Sequence, residues 1–319
     1  MKFKRLWSCV LALAMMTTMV SFQASAYEGS TDDGEYTIDE PYEYPIEPGT
    51  DEWKALKTHE QKLDISQIPE ETLHNMTTEA LLDTVLNYPL LIDIMAYNST
   101  EKGIVAVSEQ FNGLEELLNR DDFSTVATNK METGIRLQPE AAVNENSIDI
   151  DFAFKQLMLG KILSSSTAPM SDYTEGTKKT PNGSRVQVLY YITDISDAEK
   201  TIYDTMMEKS YPDAIRLDGA TRMYNCHNYA WDDARPYDGW MPDPSAYMKD
   251  GSYSNLNGST LKAGDILYSS DAEHSAVIYS IGGNVQNPIT AVSKWGTCGL
   301  YRHGLYDCPY GQTSYSQWR

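Results

Sequence analysis

Residues 222–236, RMYNCHNYAWDDARP, combine a cysteine with signals for the start and the end of a helix. Asn225 is a residue type that caps helix N-termini, and Pro236 cannot continue the backbone hydrogen bonding of a helix. The stretch therefore predicts a short helix with Cys226 in its first turn. There the helix dipole favours an anion, and unpaired N–H groups can hold an oxyanion, with Asn225 beside it.

The chain beyond this helix has the pattern of an antiparallel sheet. Short apolar or β-branched runs alternate with turn residues in AGDILYSS (263–270), HSAVIYSIGGNV (274–285), ITAVSKWG (289–296) and CGLYRHGL (298–305). Gly282 and Gly283 mark a turn between two strands. The first two runs can form a hairpin with His274 at its end. A helix followed by antiparallel strands predicts the α+β fold class.

A catalytic thiol also needs a proton acceptor, because the thiolate is the nucleophile. His274 begins a mostly apolar strand, an unusual place for a histidine that only packs, and we predict that it is the base for Cys226. His227 is turned about 100° around the helix from Cys226, which favours a packing or rim role. His303 is a reserve candidate for the base or for substrate contact. A buried thiol without catalytic function is the alternative for Cys226.

Three motifs in this order resemble CHAP domains, the cysteine, histidine-dependent amidohydrolases and peptidases of the NlpC-type and papain-like superfamily. NCHNYA (225–230) is similar to their cysteine motif and KAGDILYSSDAEHSAVI (262–278) to their Gly-Asp-Ile segment and histidine strand. ITAVSKWG resembles the next strand, which carries the third polar residue. The family usually has Glu, Asp or Asn there, whereas this chain offers Ser293 and Lys294, and only Ser293 can accept a hydrogen bond from an imidazole.

The resemblance implies a papain-like domain that cleaves amide bonds without a cofactor, with bacterial cell-wall peptides as substrate. Cys226, His274 and Ser293 would then be catalytic. Pocket walls are predicted from three aromatic residues, with core packing as the alternative: Trp240, Tyr247 and Trp295. His303 would also contact the substrate.

The other two cysteines of the C-terminal part, Cys298 and Cys308, are close enough in sequence to close a short disulfide loop. With His303 they offer three zinc ligands, but zinc requires a fourth and tighter spacing. We therefore expect a disulfide and no metal site.

The remaining chain predicts five segments. Residues 1–26 have the basic start, apolar stretch and Ala-Ser-Ala end of a secretory signal peptide. Residues 27–52 are acidic and predict a disordered leader. Apolar stripes in 53–165 predict a small all-α domain, 166–184 a linker or long loop, and 185–319 the CHAP-like domain.

A net charge of −21 excludes a basic nucleic-acid footprint. With no later apolar run long enough for a membrane helix, a secreted monomer is expected that does not contact a membrane once the signal is cleaved. A secreted cysteine protease acting on proteins is the first alternative. A non-catalytic protein that binds the wall or a partner on a degenerate CHAP scaffold is the second. The helical domain would recognise the wall or a partner, or would occlude the site as a pro-region.

Overall fold

The computed structural model describes residues 36–141, 149–164, 172–256, 258–311 and 313–319, with backbone only for 135–141. The signal-peptide prediction, the first part of the acidic leader and residues 166–171 of the linker lie outside the described residues. In the described part, no helix is both long and apolar enough to cross a membrane.

Helices dominate the first half of the described chain. They are α1 (Asp51–Ala55), α2 (His59–Ile65), α3 (Glu70–Asn75), α4 (Thr78–Leu86), a 3₁₀ helix (Leu91–Ala96), α5 (Thr100–Ser108), α6 (Asn112–Asn119), α7 (Phe123–Ala141) and α8 (Ile150–Ser164). The predicted stripe in α4 is buried, and Thr77 caps this helix by accepting a hydrogen bond from Ala80 N. Apolar residues at steps of three and four over 104–117 predict one continuous helix, but the structure has two, because the helix ends at Ser108 and a new one begins at Asn112.

Strands dominate the second half. The elements are β1 (Tyr173–Lys179), β2 (Arg185–Tyr191), α9 (Asp197–Ser210), β3 (Ile215–Asp218), α10 (Cys226–Trp231), α11 (Ser245–Lys249), β4 (Ile266–Ser269), β5 (His274–Ile281), β6 (Ile289–Lys294), β7 (Leu300–Gly304) and β8 (Ser316–Trp318). β1 and β2 form a hairpin, and the others form an antiparallel sheet in the order β3-β7-β6-β5-β4-β8. The α+β class is confirmed, and β4 and β5 form the predicted hairpin with Ser269 opposite His274.

The two faces of the six-stranded sheet pack against different parts of the chain. Side chains alternate along a strand, so His274 and Ser275 point to opposite faces of β5. Ser275 contacts α10, which lies on that face together with the β1–β2 hairpin. The opposite face, which includes Trp295, packs against the helical segment, as in the ring contact between Trp295 and Tyr211. α10 and most of the helices of the first half thus lie on opposite faces of the sheet, and they meet directly where Asn98 accepts a hydrogen bond from the α10 cap, Asn225.

Residues 37–319 form one compact unit. The largest buried cluster contains helical residues such as Leu81 and Leu114 together with Trp295, Tyr301 and Tyr310 from the sheet half. One buried cluster therefore contains residues of both the predicted helical domain (53–165) and the predicted CHAP-like domain (185–319), because the helices bury their apolar stripes against the sheet as well as against each other.

Two segments predicted to be irregular are ordered where the structure describes them. Ile38 pairs with Met76, and Tyr44 is buried and donates a hydrogen bond to Thr84 O, so the second part of the acidic leader packs on the helices. Its tyrosines and isoleucines supply apolar area that its high acidity concealed. The second part of the linker contains β1, whose Lys178 binds Asn228 and Asp232 of the α10 region.

Candidate active site

Asn225 caps α10 as predicted and is a fully buried junction. Its Oδ1 accepts hydrogen bonds from Asn228 N at 3.1 Å and Met241 N at 3.0 Å. Its Nδ2 donates to Met241 O at 2.8 Å and to Asn98 Oδ1 at 3.2 Å. The Asn225 side chain thus makes four hydrogen bonds, two through its oxygen and two through its nitrogen, so no polar group of this buried amide is left without a partner. These bonds fix the start of α10.

Cys226 is the first residue of α10 and its thiol is almost enclosed, with 3% of the residue exposed. Its Sγ lies 3.8 Å from His227 Nδ1 and 3.9 Å from Glu273 O, to which the thiol can donate. Burial raises the pKa of this thiol to about 12, against backbone N–H groups of Ser275 and His227 that favour the thiolate. The thiol is therefore protonated at neutral pH in this conformation.

His227, for which a packing or rim role is predicted, is buried and is the imidazole that the structure brings to the thiol. Its Nδ1 lies 2.8 Å from Ser275 Oγ, and the same hydroxyl accepts a hydrogen bond from Trp231 Nε1 at 2.9 Å. Burial lowers the pKa of His227 to about 4, so the ring is neutral at pH 7. The 100° turn separates the two Cα positions, but both side chains bend toward β5 in the first helical turn.

His274 lies on the other face of the sheet from α10. It is fully buried, its ring stacks on Tyr310 at 3.5 Å between centroids, and neither ring nitrogen has a hydrogen-bond partner among the described residues. Burial lowers its pKa well below the usual range, and the neighbouring His303 and His227 lower it further. The backbone of residues 273–275 lies next to Cys226. The His274 ring, however, makes no hydrogen bond to the Cys226 thiol.

Ser293 binds His303 in place of His274. Its Oγ lies 2.8 Å from His303 Nε2 and accepts a hydrogen bond from Trp295 Nε1 at 3.0 Å. His303 Nδ1 lies 2.8 Å from Gly304 O, which fixes the proton on Nδ1 and leaves Nε2 to accept from the serine. These residues form a buried polar cluster on the His274 face of the sheet.

Lys294 also belongs to the site, although from the sequence it is excluded as the third residue because an ammonium group cannot accept a hydrogen bond from an imidazole. Its fully buried ammonium donates to three carbonyls, Thr221 O at 2.8 Å, Gly296 O at 2.6 Å and Cys298 O. Burial lowers its pKa to about 8. The ammonium joins the loop that leads into α10 to the loop after β6, and its charge favours the Cys226 thiolate. A lysine that ends an otherwise apolar strand was the signal in the sequence.

The predicted pocket walls are core aromatics. Trp240, Tyr247 and Trp295 are all buried. A cavity of about 330 Å³ lies elsewhere, between the helical segment and the β4–β5 turn. Its walls are Tyr97, Asn98, Glu101, Lys102, Val105, Ala106, Glu109 and residues 271–273. The sequence could not reveal it, because its two walls are about 170 residues apart in the chain.

The predicted disulfide is wrong in this structure. Cys298 and Cys308 are free, as is Cys226, and all three are buried. Cys308 Sγ lies 3.3 Å from Leu305 O and can donate to it, and burial raises its pKa to about 12. The two cysteines lie on either side of β7 in the chain, and both belong to the largest buried cluster. Among the described residues, no three His, Cys, Asp or Glu side chains are placed to hold a metal ion.

Comparisons with models of known protein families, with curated proteins and with solved structures give no match.

Proposed function

We propose that this protein is a secreted cysteine-dependent hydrolase of amide bonds, with Cys226 as nucleophile and His227 as its proton acceptor. The observation that carries the proposal is the position of the thiol. Sγ lies at the first residue of a capped helix, within 3.8 Å of a neutral imidazole nitrogen and beside backbone N–H groups that favour an anion.

In the proposed reaction the Ser275 hydroxyl, which lies 2.8 Å from His227 Nδ1 in the resting state, first turns away from this nitrogen. The thiol proton then passes to His227 Nδ1, and the sulfur attacks the amide carbonyl carbon. A C–S bond forms while the carbonyl π electrons move to the oxygen, which is stabilised by N–H groups at the start of α10. Collapse of this intermediate breaks the C–N bond, and the imidazolium gives its proton to the leaving amine. Water then hydrolyses the thioester and regenerates the thiol.

The enclosed thiol requires a movement before substrate can reach it. The β4–β5 turn, residues 270–273, covers the thiol, and its Glu273 carbonyl oxygen lies 3.9 Å from Sγ. The turn is held from the helical segment by the ion pair between Glu273 and Lys102 and by Asn98. Since both side chains of the ion pair are about half exposed, the pair contributes about 1 kcal/mol at most. Displacement of the turn would open Cys226 toward the adjacent cavity.

Cell-wall peptides are the proposed substrate, on the strength of the resemblance to CHAP domains. The cavity beside the turn is acidic, with four carboxylate residues and one lysine in its walls, and has an apolar part formed by Tyr97, Val105 and Ala106. Such walls suit a peptide with an amine-bearing side chain better than an anionic polymer.

The test is incubation of purified peptidoglycan, and separately of casein, with the mature protein and with Cys226→Ala, His227→Gln and His274→Gln. Products are identified by mass spectrometry. We expect peptide fragments from the wall with the wild type and with His274→Gln, and none with the other two variants. Loss of activity only in His274→Gln and Cys226→Ala would replace His227 with His274 as the base. Fragments from casein alone would identify a protease of protein substrates.

A non-catalytic binding protein is the second candidate, and the burial of Cys226 favours it. A thiol with a pKa of about 12 is unreactive unless the turn moves. Pull-down of the mature protein with insoluble wall, equal for wild type and Cys226→Ala and without products from either substrate, would support this alternative.

A further inference from the structure

Asn98 links the helical segment to the thiol site through both ends of its amide. It lies between the 3₁₀ helix and α5. Its Oδ1 accepts from Asn225 Nδ2 at 3.2 Å, and its Nδ2 donates to Glu273 O at 3.1 Å. Glu273 O is also the oxygen to which the Cys226 thiol can donate, 3.9 Å from Sγ. One side chain thus joins the cap of the nucleophile helix to the carbonyl that faces the nucleophile.

We propose that Asn98 is a positioning residue for the Cys226 thiolate. The inference rests on the proposed function, in which Cys226 must ionise during each cycle. A carbonyl oxygen that faces sulfur accepts a hydrogen bond from the S–H group in the resting state and repels the thiolate. The Asn98 N–H group on the same oxygen withdraws part of its negative potential and turns the Glu273 carbonyl toward the helical segment. The site is therefore incomplete without the first half of the chain.

The role of Asn98 is different from that of the neighbouring Lys102. Lys102 binds the Glu273 carboxylate, which is half exposed, and so holds the turn at its outer surface. Asn98 also donates to this carboxylate, at 3.4 Å, but in addition it binds the main-chain oxygen of Glu273 and the Asn225 cap, which is fully buried. Loss of Lys102 only loosens the cover, whereas loss of Asn98 loosens it and also changes the potential at the sulfur, and we expect the second effect to be the larger.

The experiment measures the alkylation of Cys226 by iodoacetamide between pH 6 and 10 in the mature protein, with the modified cysteine identified by peptide mass spectrometry. Asn98→Ala removes the hydrogen bonds of this amide to Glu273 and to Asn225. Asn98→Asp retains an acceptor for Asn225 but replaces the N–H donor with a negative charge. Since one pKa unit changes the thiolate fraction tenfold, we expect rate constants lower than wild type by about threefold for Ala and tenfold or more for Asp. The control is Asn119→Ala, because the Asn119 amide donates to Glu115 O at an exposed position at the end of α6, away from the thiol site.

Three results decide between outcomes. The order wild type, Ala, Asp at each pH, with the control equal to wild type, supports the proposal. It does so even if no substrate is hydrolysed, in which case only the catalytic function fails. Faster alkylation in both Asn98 variants would mean that Asn98 only closes the cover and would overturn the proposal. Equal rates in all proteins would also overturn it. If Asn98→Ala does not fold, the comparison of Asn98→Asp with wild type decides alone.

Discussion

Replacement of Lys62 by methionine should destabilise the whole protein, because this lysine joins its two halves through a buried ion pair. Lys62 lies on α2 and its Nζ contacts Asp307 Oδ1 at 2.5 Å, with side-chain exposures of 0% and 4%. The ammonium also lies 4.4 Å from the ring centre of Tyr211. Methionine keeps the length of the side chain but leaves the Asp307 carboxylate buried without its partner.

The expected loss is about 3–5 kcal/mol in the free energy of unfolding, the usual cost of removing one member of a buried pair. Burial already raises the pKa of Asp307, and the lysine opposes this rise. In Lys62→Met the folded-state pKa therefore lies further above the unfolded value. A raised acid pKa favours folding below the unfolded pKa and loses that contribution as pH increases through the folded value. The deficit relative to wild type should thus be larger at pH 8 than at pH 5.

The assay is urea unfolding followed by tryptophan fluorescence at both pH values. Lys54→Met is the control, because Lys54 pairs with Asp51 on the surface and should contribute less than about 1 kcal/mol. The double variant Lys62→Met/Asp307→Leu should recover most of the lost stability. A deficit below about 1 kcal/mol, or two unfolding transitions in the wild type, would refute the conclusion that the helical and sheet halves share one core.

Three further predictions follow from buried polar groups. Asn225→Ala should lower the free energy of unfolding by about 2–4 kcal/mol, because it removes a helix cap and leaves the Met241 backbone groups without their partners. The control is Thr77→Ala, which removes only a cap and should cost about 1 kcal/mol in the same urea assay. Burial raises the pKa of Asp93 to about 8, so the contribution of this group to stability is complete below about pH 4 and is lost toward pH 8. Asp93→Asn should therefore have the wild-type urea midpoint at pH 4 and a higher midpoint than the wild type at pH 8. Equal midpoints at both pH values would contradict this prediction. Titration of the mature, unreduced protein with a thiol reagent in denaturant should give three thiols per chain. A value of one thiol would show that Cys298 and Cys308 form a disulfide.

Local features of the site were determined by the sequence. The asparagine cap, the short helix with Cys226 at its start, the β4–β5 hairpin and the α+β class all depend on residues within a few positions of one another. Capping and strand alternation are local preferences of the backbone and side chains, so they can be predicted without knowledge of the rest of the chain. The alternation even places His274 and Ser275 on opposite faces, but it does not say which face receives α10.

That choice was made by tertiary packing. The helical segment covers the face with His274, and α10 covers the face with Ser275, so the imidazole that reaches the Cys226 thiol is His227. The same packing brings Asn98 to the cap of α10 across 127 positions of sequence and places helical and sheet residues in one buried cluster. Such contacts depend on which buried surfaces fit together in three dimensions, and no short stretch of sequence contains that information.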